Sequence, residues 1–154
     1  MRASAPQKLF AELCKKAGYR DVALEPHLEP LSGEVLKGRS AIRAVEAKSD
    51  LRVNGFFDVK RNAFFEFRVF NPNARSYDKK SPEFLHKKFA DARSREYKQR
   101  INEVDCADFV PMIMSSTGGM GVDMQRAVKH LAKTLAVKRN ERYSKVCGAN
   151  ARLL

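Results

Sequence analysis

Residues 48–72 read KSDLRVNGFFDVKRNAFFEFRVFNP, two strand-like runs joined by a turn, and no other segment limits the fold as tightly. The second run, AFFEFRVFN at 63–71, is apolar on both faces, the pattern of a strand at the centre of a covered sheet. Yet each run carries an acid, Asp50 in the first and Glu66 in the second, and Arg68 follows two residues after Glu66. Carboxylates inside a sheet are costly unless paired, protonated or bound to a cation. If 46–53 and 63–70 pair as a hairpin across GFFDVKRN, Asp50 stands opposite Glu66. Strand alternation then puts Arg68 on the same face as Glu66.

The remaining chain supplies partners for such a sheet. Leu9, Phe10, Leu13 and Cys14 recur at helical spacing over 6–17, and Gly18 is placed to end that helix. Val22 and Leu24 alternate inward in a short strand stopped by Pro26. Residues 26–40 hold prolines and glycines, consistent with a loop or irregular strand. The first acidic strand, 46–53, ends at Asn54-Gly55. After a polar connector, Ser81 and Pro82 are the N-cap and first residue of a long helix over 82–104. FVPMIMSS at 109–116 reads as a buried strand whose Pro111 suggests an edge or a strand start, TGGMG as a tight turn, and 122–138 as an amphipathic helix. Beyond 139 the pattern weakens, so 139–154 is expected to be a weakly structured or truncated tail. The order predicts one α/β domain over 1–154: a mixed central sheet flanked by helices, with an α-β-β-β-α-β core and a C-terminal helix.

Charge narrows the partner. The chain holds 30 Lys and Arg against 18 Asp and Glu, a net charge of +12. The excess is concentrated: 126–154 has eight basic residues against Glu141 alone, and 74–102 has nine against four acids. Such a field draws polyanions, nucleic acid first, although a solvated helix face has the same composition. The longest apolar runs are too short for a membrane span, and the N-terminus lacks the apolar core of a secretory signal. Three dispersed cysteines (Cys14, Cys106, Cys147) and three dispersed histidines form no zinc pattern, and their odd cysteine number favours a reducing, intracellular setting.

Two opposed carboxylates repel, and a divalent cation between them is one remedy. Hard oxygen ligands on neighbouring strands suit Mg²⁺ or Mn²⁺, which keep waters and take substrate phosphate as further ligands. Arg68 could stabilise charge building on a phosphate. Together these are components of metal-assisted phosphodiester hydrolysis. The simpler alternative is that Arg68 neutralises Glu66 in an ion pair and Asp50 caps a strand end.

The acid on the second strand followed by ExR on the third, within an α–β–β–β–α–β order, resembles the PD-(D/E)XK (restriction-endonuclease-like) nuclease superfamily. Asp50 matches its first acid and Glu66 its second. Arg68 stands in the lysine place; arginine cannot lose its proton to act as a base, but it can hold a phosphate or orient a water. Over about 20–121, LEPHLEPLSGE, KSDLRVNGFF, AFFEFRVFNPNARSY, YKQRINEVD and PMIMSSTGGMG are similar to a widespread family of metazoan open reading frames that often accompany retroelements. Here Glu66 replaces that family's aspartate and Phe57 its tryptophan. The resemblance implies a nuclear DNA endonuclease of mobile-element origin, with RNA as another substrate and a homodimer among its arrangements.

It also implies further site residues. Glu34, which lies with Glu25 in LEPHLEPLSGE, is the expected third metal ligand and Glu12 on the first helix its rival, an ordinary surface glutamate being the plainer alternative. On the long helix, Gln99 and Arg100 are expected substrate contacts and Tyr97 a core residue, while Arg93 and Lys98 either grip a backbone or keep the helix soluble. Backbone N–H groups of Ser116, Gly118 and Gly119 could meet a phosphate, a plain strand-to-helix turn being the competing reading. Arg126, Lys129 and Lys133 line the polar side of the last helix and are expected to track the backbone. A catalytically inactive nucleic-acid-binding module on the same fold, or a protein whose basic faces meet an acidic partner, is also compatible with these features.

Overall fold

The computed structural model describes residues 4–29, 41–44 and 46–150. Helix α1 (Ala5–Ala17) turns Phe10, Leu13 and Cys14 into the core. It ends where Gly18 adopts φ 99°, the left-handed geometry that favours glycine, and its N–H returns to Cys14 and Lys15 carbonyls. Strands β1 (Val22–Leu24), β2 (Leu51–Asn54), β3 (Asn62–Phe70) and β4 (Asp108–Ser115) form one sheet in the order β1-β2-β3-β4. The first three run antiparallel, and β4 lies parallel to β3. β3 is central, as its two-sided apolar pattern requires.

The hairpin has the expected register, Leu51 opposite Phe65, although β2 begins only at Leu51. Lys48 lies outside it in an isolated bridge to His27. Leu24, expected to face inward, is 40% exposed because β1 is a short outer strand that packs chiefly through Val22.

One face of β3 directs Ala63, Phe65 and Phe67 into the main core, where Phe10 of α1 meets Phe65 and Phe67. Helix α4 (Val122–Arg139) closes this side with Met124, Ala127, Leu131 and Leu135. Burying each large apolar side chain contributes about 1.5–3 kcal/mol. The other face is covered by the long helix, which is continuous but not uniform: α2 (Pro82–Arg93), a π-helical turn (Ser94–Lys98) and α3 (Gln99–Glu103). Ser81 Oγ accepts from Phe84 N–H at 3.2 Å, the expected N-cap. Leu85, Phe89, Tyr97 and Ile101 all face the sheet. At multiples of four residues, a regular α-helix would rotate successive side chains away by about 40° per step. The wider turn absorbs part of that drift and keeps Tyr97 and Ile101 over the sheet.

β4 is an edge strand, and Pro111 lies within it. Beyond α4, the chain forms α5 (Tyr143–Asn150), whose Val146 is fully buried in the main core. This corrects the expected frayed tail over 139–154 for residues up to 150: the helix is held by Val146, with Cys147 packed beside it, rather than by a continuous periodic stripe. No helix among the described residues is long and apolar enough to cross a membrane.

Candidate active site

Asp50 and Glu66 converge as the hairpin register demands. Asp50 N–H donates to Glu66 Oε1 at 3.1 Å, and Phe67 N–H donates to Asp50 Oδ2 at 2.7 Å. These bonds occur just before β2 begins, where β3 continues past it, so Asp50 occupies the open ladder position. Ser49, beside it, is buried and donates to Phe65 O at 3.4 Å; its side chain also bonds Glu66. From α1, the buried Gln7 bonds Asp50 through its side chain.

Glu66 is 2% exposed. It shares the helix-covered face of β3 with Phe64 and Phe70, which belong to two separate apolar clusters. Phe64 packs with Tyr97, Ile101 and Phe109, whereas Phe70 packs with Leu85 and Phe89. Glu66 falls between them, towards the π turn, and this acid is where the apolar cover is interrupted. A π turn inside a helix is a frequent mark of a functional site.

The electrostatics show too little positive charge. Burial, then the nearby Asp50 charge, pushes the Glu66 carboxyl up to about 8; the bonds from Ser49 and Asp50 and the charge of Arg93 only partly oppose this. Asp50 is also raised, chiefly by burial, against a stabilising bond from Phe67. Tyr97 is raised by burial and by Glu66. Arg93 is the cation that both carboxylates sense. It pairs with Glu96 at 3.2 Å, and its Nε is buried without a hydrogen-bond partner.

Arg68 does not pair with Glu66: neither residue takes part in an ion pair among the described residues. Its guanidinium instead stacks 4.1 Å above the Phe89 ring. The same-face neutralisation considered from sequence is therefore not what happens. Stacking orients the guanidinium while leaving its N–H fork for an anion.

The residues present fit a divalent cation in one respect. Backbone amides hold one oxygen of each carboxylate, Asp50 Oδ2 and Glu66 Oε1, and leave the second oxygen of each outside those bonds. Two carboxylates suffice for Mg²⁺, which fills its remaining positions with water and phosphate. Among the described residues no group of three or more His, Cys, Asp or Glu is arranged to hold a metal. Glu34, the expected third ligand, lies outside the described residues. Glu25 is the third acid whose charge reaches Asp50. It sits just after β1 with φ 50°, an uncommon geometry for a glutamate, and its N–H donates to Asp50 O at 3.0 Å. Glu12 is exposed on α1.

The expected nucleic-acid contacts divide into three groups. Arg126, Lys129 and Lys133 of α4 line one groove of about 810 Å³ together with Lys98 of the π turn. Gln99 is half-buried and donates to Glu103 at 3.3 Å. Arg100 is a correction: it is fully buried, and its guanidinium donates to the Glu29 and Ala44 carbonyls, so it fastens the loop segments rather than facing substrate.

The SSTGGMG turn is a second correction. Ser116 N–H donates to Phe70 O, Gly118 N–H to Ser115 O and Gly119 N–H to Ser115 Oγ, all at 2.8–3.0 Å. The amides expected to meet phosphate are already engaged, two inside the turn and that of Ser116 with β3. Gly118 is required by its φ of 90°, and Gly119 by close packing: an added Cβ would lie 2.9 Å from Ser115 Oγ and 3.2 Å from His86 Nε2.

Sequence reasoning overlooked Gln7 and Ser49. Neither carries a local signature, since Gln7 reads as a first-turn helix residue and Ser49 as a strand neighbour. Comparison of the chain with protein-family models, curated proteins and solved structures finds no match.

Proposed function

We propose that the protein is a Mg²⁺- or Mn²⁺-dependent endonuclease that hydrolyses DNA phosphodiester bonds, of mobile-element origin and acting in the nucleus, with a PD-(D/E)XK-like core. The observation that carries this reading is the buried, unneutralised meeting of Asp50 and Glu66, with Glu66 pushed up to about 8. The α-β-β-β-α-β order with a parallel fourth strand supports the restriction-endonuclease-like arrangement. The net charge of +12 supports a polyanionic substrate.

Asp50 and Glu66 would hold the cation through the oxygens left outside their backbone bonds. Bound there, the cation would supply Lewis-acid stabilisation of the phosphoryl oxygens and acidify a water. Arg68, oriented by Phe89, would hold the scissile phosphate and meet the charge that develops on it, with Arg93 adding positive charge near both carboxylates. Arg68 supplies no base, because guanidinium stays protonated. Tyr97 and the flanking apolar clusters would keep bulk water from Glu66 and strengthen each electrostatic contact.

Cleavage of a labelled duplex and a branched DNA, with Mg²⁺ or Mn²⁺ added, tests the reading. Product yield should fall to background in Asp50→Ala and in Glu66→Ala. Undiminished cleavage in either variant would remove that residue from the mechanism.

A catalytically inactive nucleic-acid-binding module on the same fold is the second reading, favoured by the depth of Glu66, which a neutral, protonated carboxyl tolerates. Calorimetric titration separates the two. Mg²⁺ or Mn²⁺ uptake that disappears in Asp50→Ala supports the enzyme, whereas no uptake with retained DNA binding supports the module.

A further inference from the structure

The groove of about 810 Å³ lies apart from the carboxylate pair, on the β4 side of the sheet, between α4 and the π turn with α3. Lys98, Arg126, Lys129 and Lys133 line it, with Asp108 its one acid. Asp108 is already paired with Arg61 at 3.2 Å, while Lys98, Lys129 and Lys133 have no ion pair among the described residues. The wall also carries an aromatic platform. Phe57 stands edge-on to Phe56 at 4.7 Å and packs against His130 at 5.1 Å, and the Arg126 guanidinium lies over its ring at 5.3 Å.

We propose that this groove binds a single-stranded nucleic-acid segment, with phosphates on Lys98, Lys129 and Lys133 and an unpaired base stacked on the Phe57–Arg126 pair. Cations that follow a backbone and a π surface that accepts any base are the two parts of single-strand recognition. A base inside a duplex has both faces covered by its neighbours and offers no surface to Phe57. An acidic peptide adding a strand to β4 fits less well. Ile113 O and Ser115 N–H, on the outer edge of β4, are already bonded to Gly121 and Gly119. By the alternation of the strand, Pro111 points the same way and has no N–H to offer.

The π turn connects this groove to the carboxylates: Tyr97 senses Glu66, and the next residue, Lys98, lines the groove. A junction between duplex and single strand, such as a flap or branch, could place its duplex at Asp50 and Glu66 and its unpaired arm along α4. This assignment rests on nucleic acid being the partner, as proposed above, but not on cleavage.

Fluorescence anisotropy of the full chain in EDTA, with labelled oligothymidylate and a blunt duplex of equal length, provides the test. The single strand should bind more tightly. Phe57→Ala should weaken it about tenfold or more while changing duplex binding little, and Phe57→Tyr should restore it. Lys129→Glu with Lys133→Glu should lower the salt slope for the single strand by about 1.4. Unaltered single-strand affinity in Phe57→Ala or in the lysine double variant, or preference for the duplex, would overturn the assignment. Cleavage assays on the wild-type chain with added Mg²⁺ keep the two questions apart: cleavage without a single-strand preference refutes the groove alone, and single-strand binding that depends on Phe57, without cleavage, refutes the nuclease alone.

Discussion

Asp50 and Glu66 each brace the strand that carries the other: Asp50 N–H donates to Glu66 Oε1 at 3.1 Å, and Asp50 Oδ2 accepts from the amide just after Glu66 at 2.7 Å. The carboxylates are therefore parts of the sheet's hydrogen bonding as well as candidate ligands. Removing a side chain would confound structure with chemistry, so conservative variants are needed beside alanine.

Asp50→Asn and Glu66→Gln keep shape and an acceptor oxygen while removing charge. Each is expected to lower metal-dependent cleavage at least about a hundredfold, because cation-mediated stabilisation of a phosphoryl transition state is worth several kcal/mol. Single-turnover rates on labelled DNA, with circular dichroism to verify folding, measure the effect. Wild-type rates in either variant would restrict that carboxylate to a structural role.

Glu66 also predicts a pH dependence of stability. Its carboxyl titrates near its ordinary value when unfolded and at about 8 when folded, so the folded state binds more protons between roughly pH 4.5 and 8. The associated stability is complete below the lower value and is lost as pH rises through the upper one. Without divalent cation, Tm should fall across this window, and Glu66→Gln should flatten the decline. Mg²⁺ or Mn²⁺ should raise Tm more at pH 8 than at pH 6, because a cation favours the charged form. Thermal unfolding in EDTA and in metal, at both pH values, checks the sign.

The hairpin shows what was legible in sequence. Alternation and turn length place Asp50 opposite Glu66, and both are local properties. The α1 cap and the central β3 were legible for the same reason: Gly18 and the two-sided apolar run each carry a local signal, whereas Pro111 fitted an edge or a strand start equally. The partner of Arg68 was not, since a same-face neighbour two residues away competes with an aromatic ring on another element, Phe89. Arg100 was misread because a buried arginine bonded to carbonyls has the same sequence as a solvated one. Val146 could not identify α5, whose helix depends on contacts with distant residues rather than on periodicity.

Arg68 and Phe89 form a separable unit. Arg68→Ala should reduce cleavage by about ten- to a hundredfold if the guanidinium meets the phosphate, with little change in Tm, since one cation–π contact contributes only about 0.5–2 kcal/mol. Arg68→Lys should recover part of the rate, keeping charge but not the fork. Equal rates in all three proteins would detach Arg68 from the reaction.

The two classes of basic residue should behave oppositely. Arg100→Met leaves the Glu29 and Ala44 carbonyls without their donor, and a buried unsatisfied acceptor costs about 1–3 kcal/mol. It should lower Tm and leave the salt dependence of DNA binding unchanged. Lys129→Ala, on the open groove, should leave Tm within about a degree and reduce the salt slope by roughly one. Binding isotherms at several salt concentrations, paired with unfolding curves, distinguish the two outcomes.

Gly119 provides a sharper test of the turn. If its role were to admit a phosphate, Gly119→Ala would weaken nucleic-acid binding while the fold stayed intact. The geometry predicts the reverse, because the new methyl would meet Ser115 Oγ at 2.9 Å and His86 Nε2 at 3.2 Å, and Gly119 N–H already donates to Ser115 Oγ. Crowding of this kind costs about 1–3 kcal/mol, so Tm should fall with affinity for the folded fraction preserved. Gly118→Ala meets no neighbour within 4 Å, and its cost comes only from the left-handed φ of 90°. Both variants should destabilise, and adding His86→Ala should recover part of the loss for Gly119→Ala alone. A loss of DNA affinity without a fall in Tm would return the turn to the phosphate-binding role.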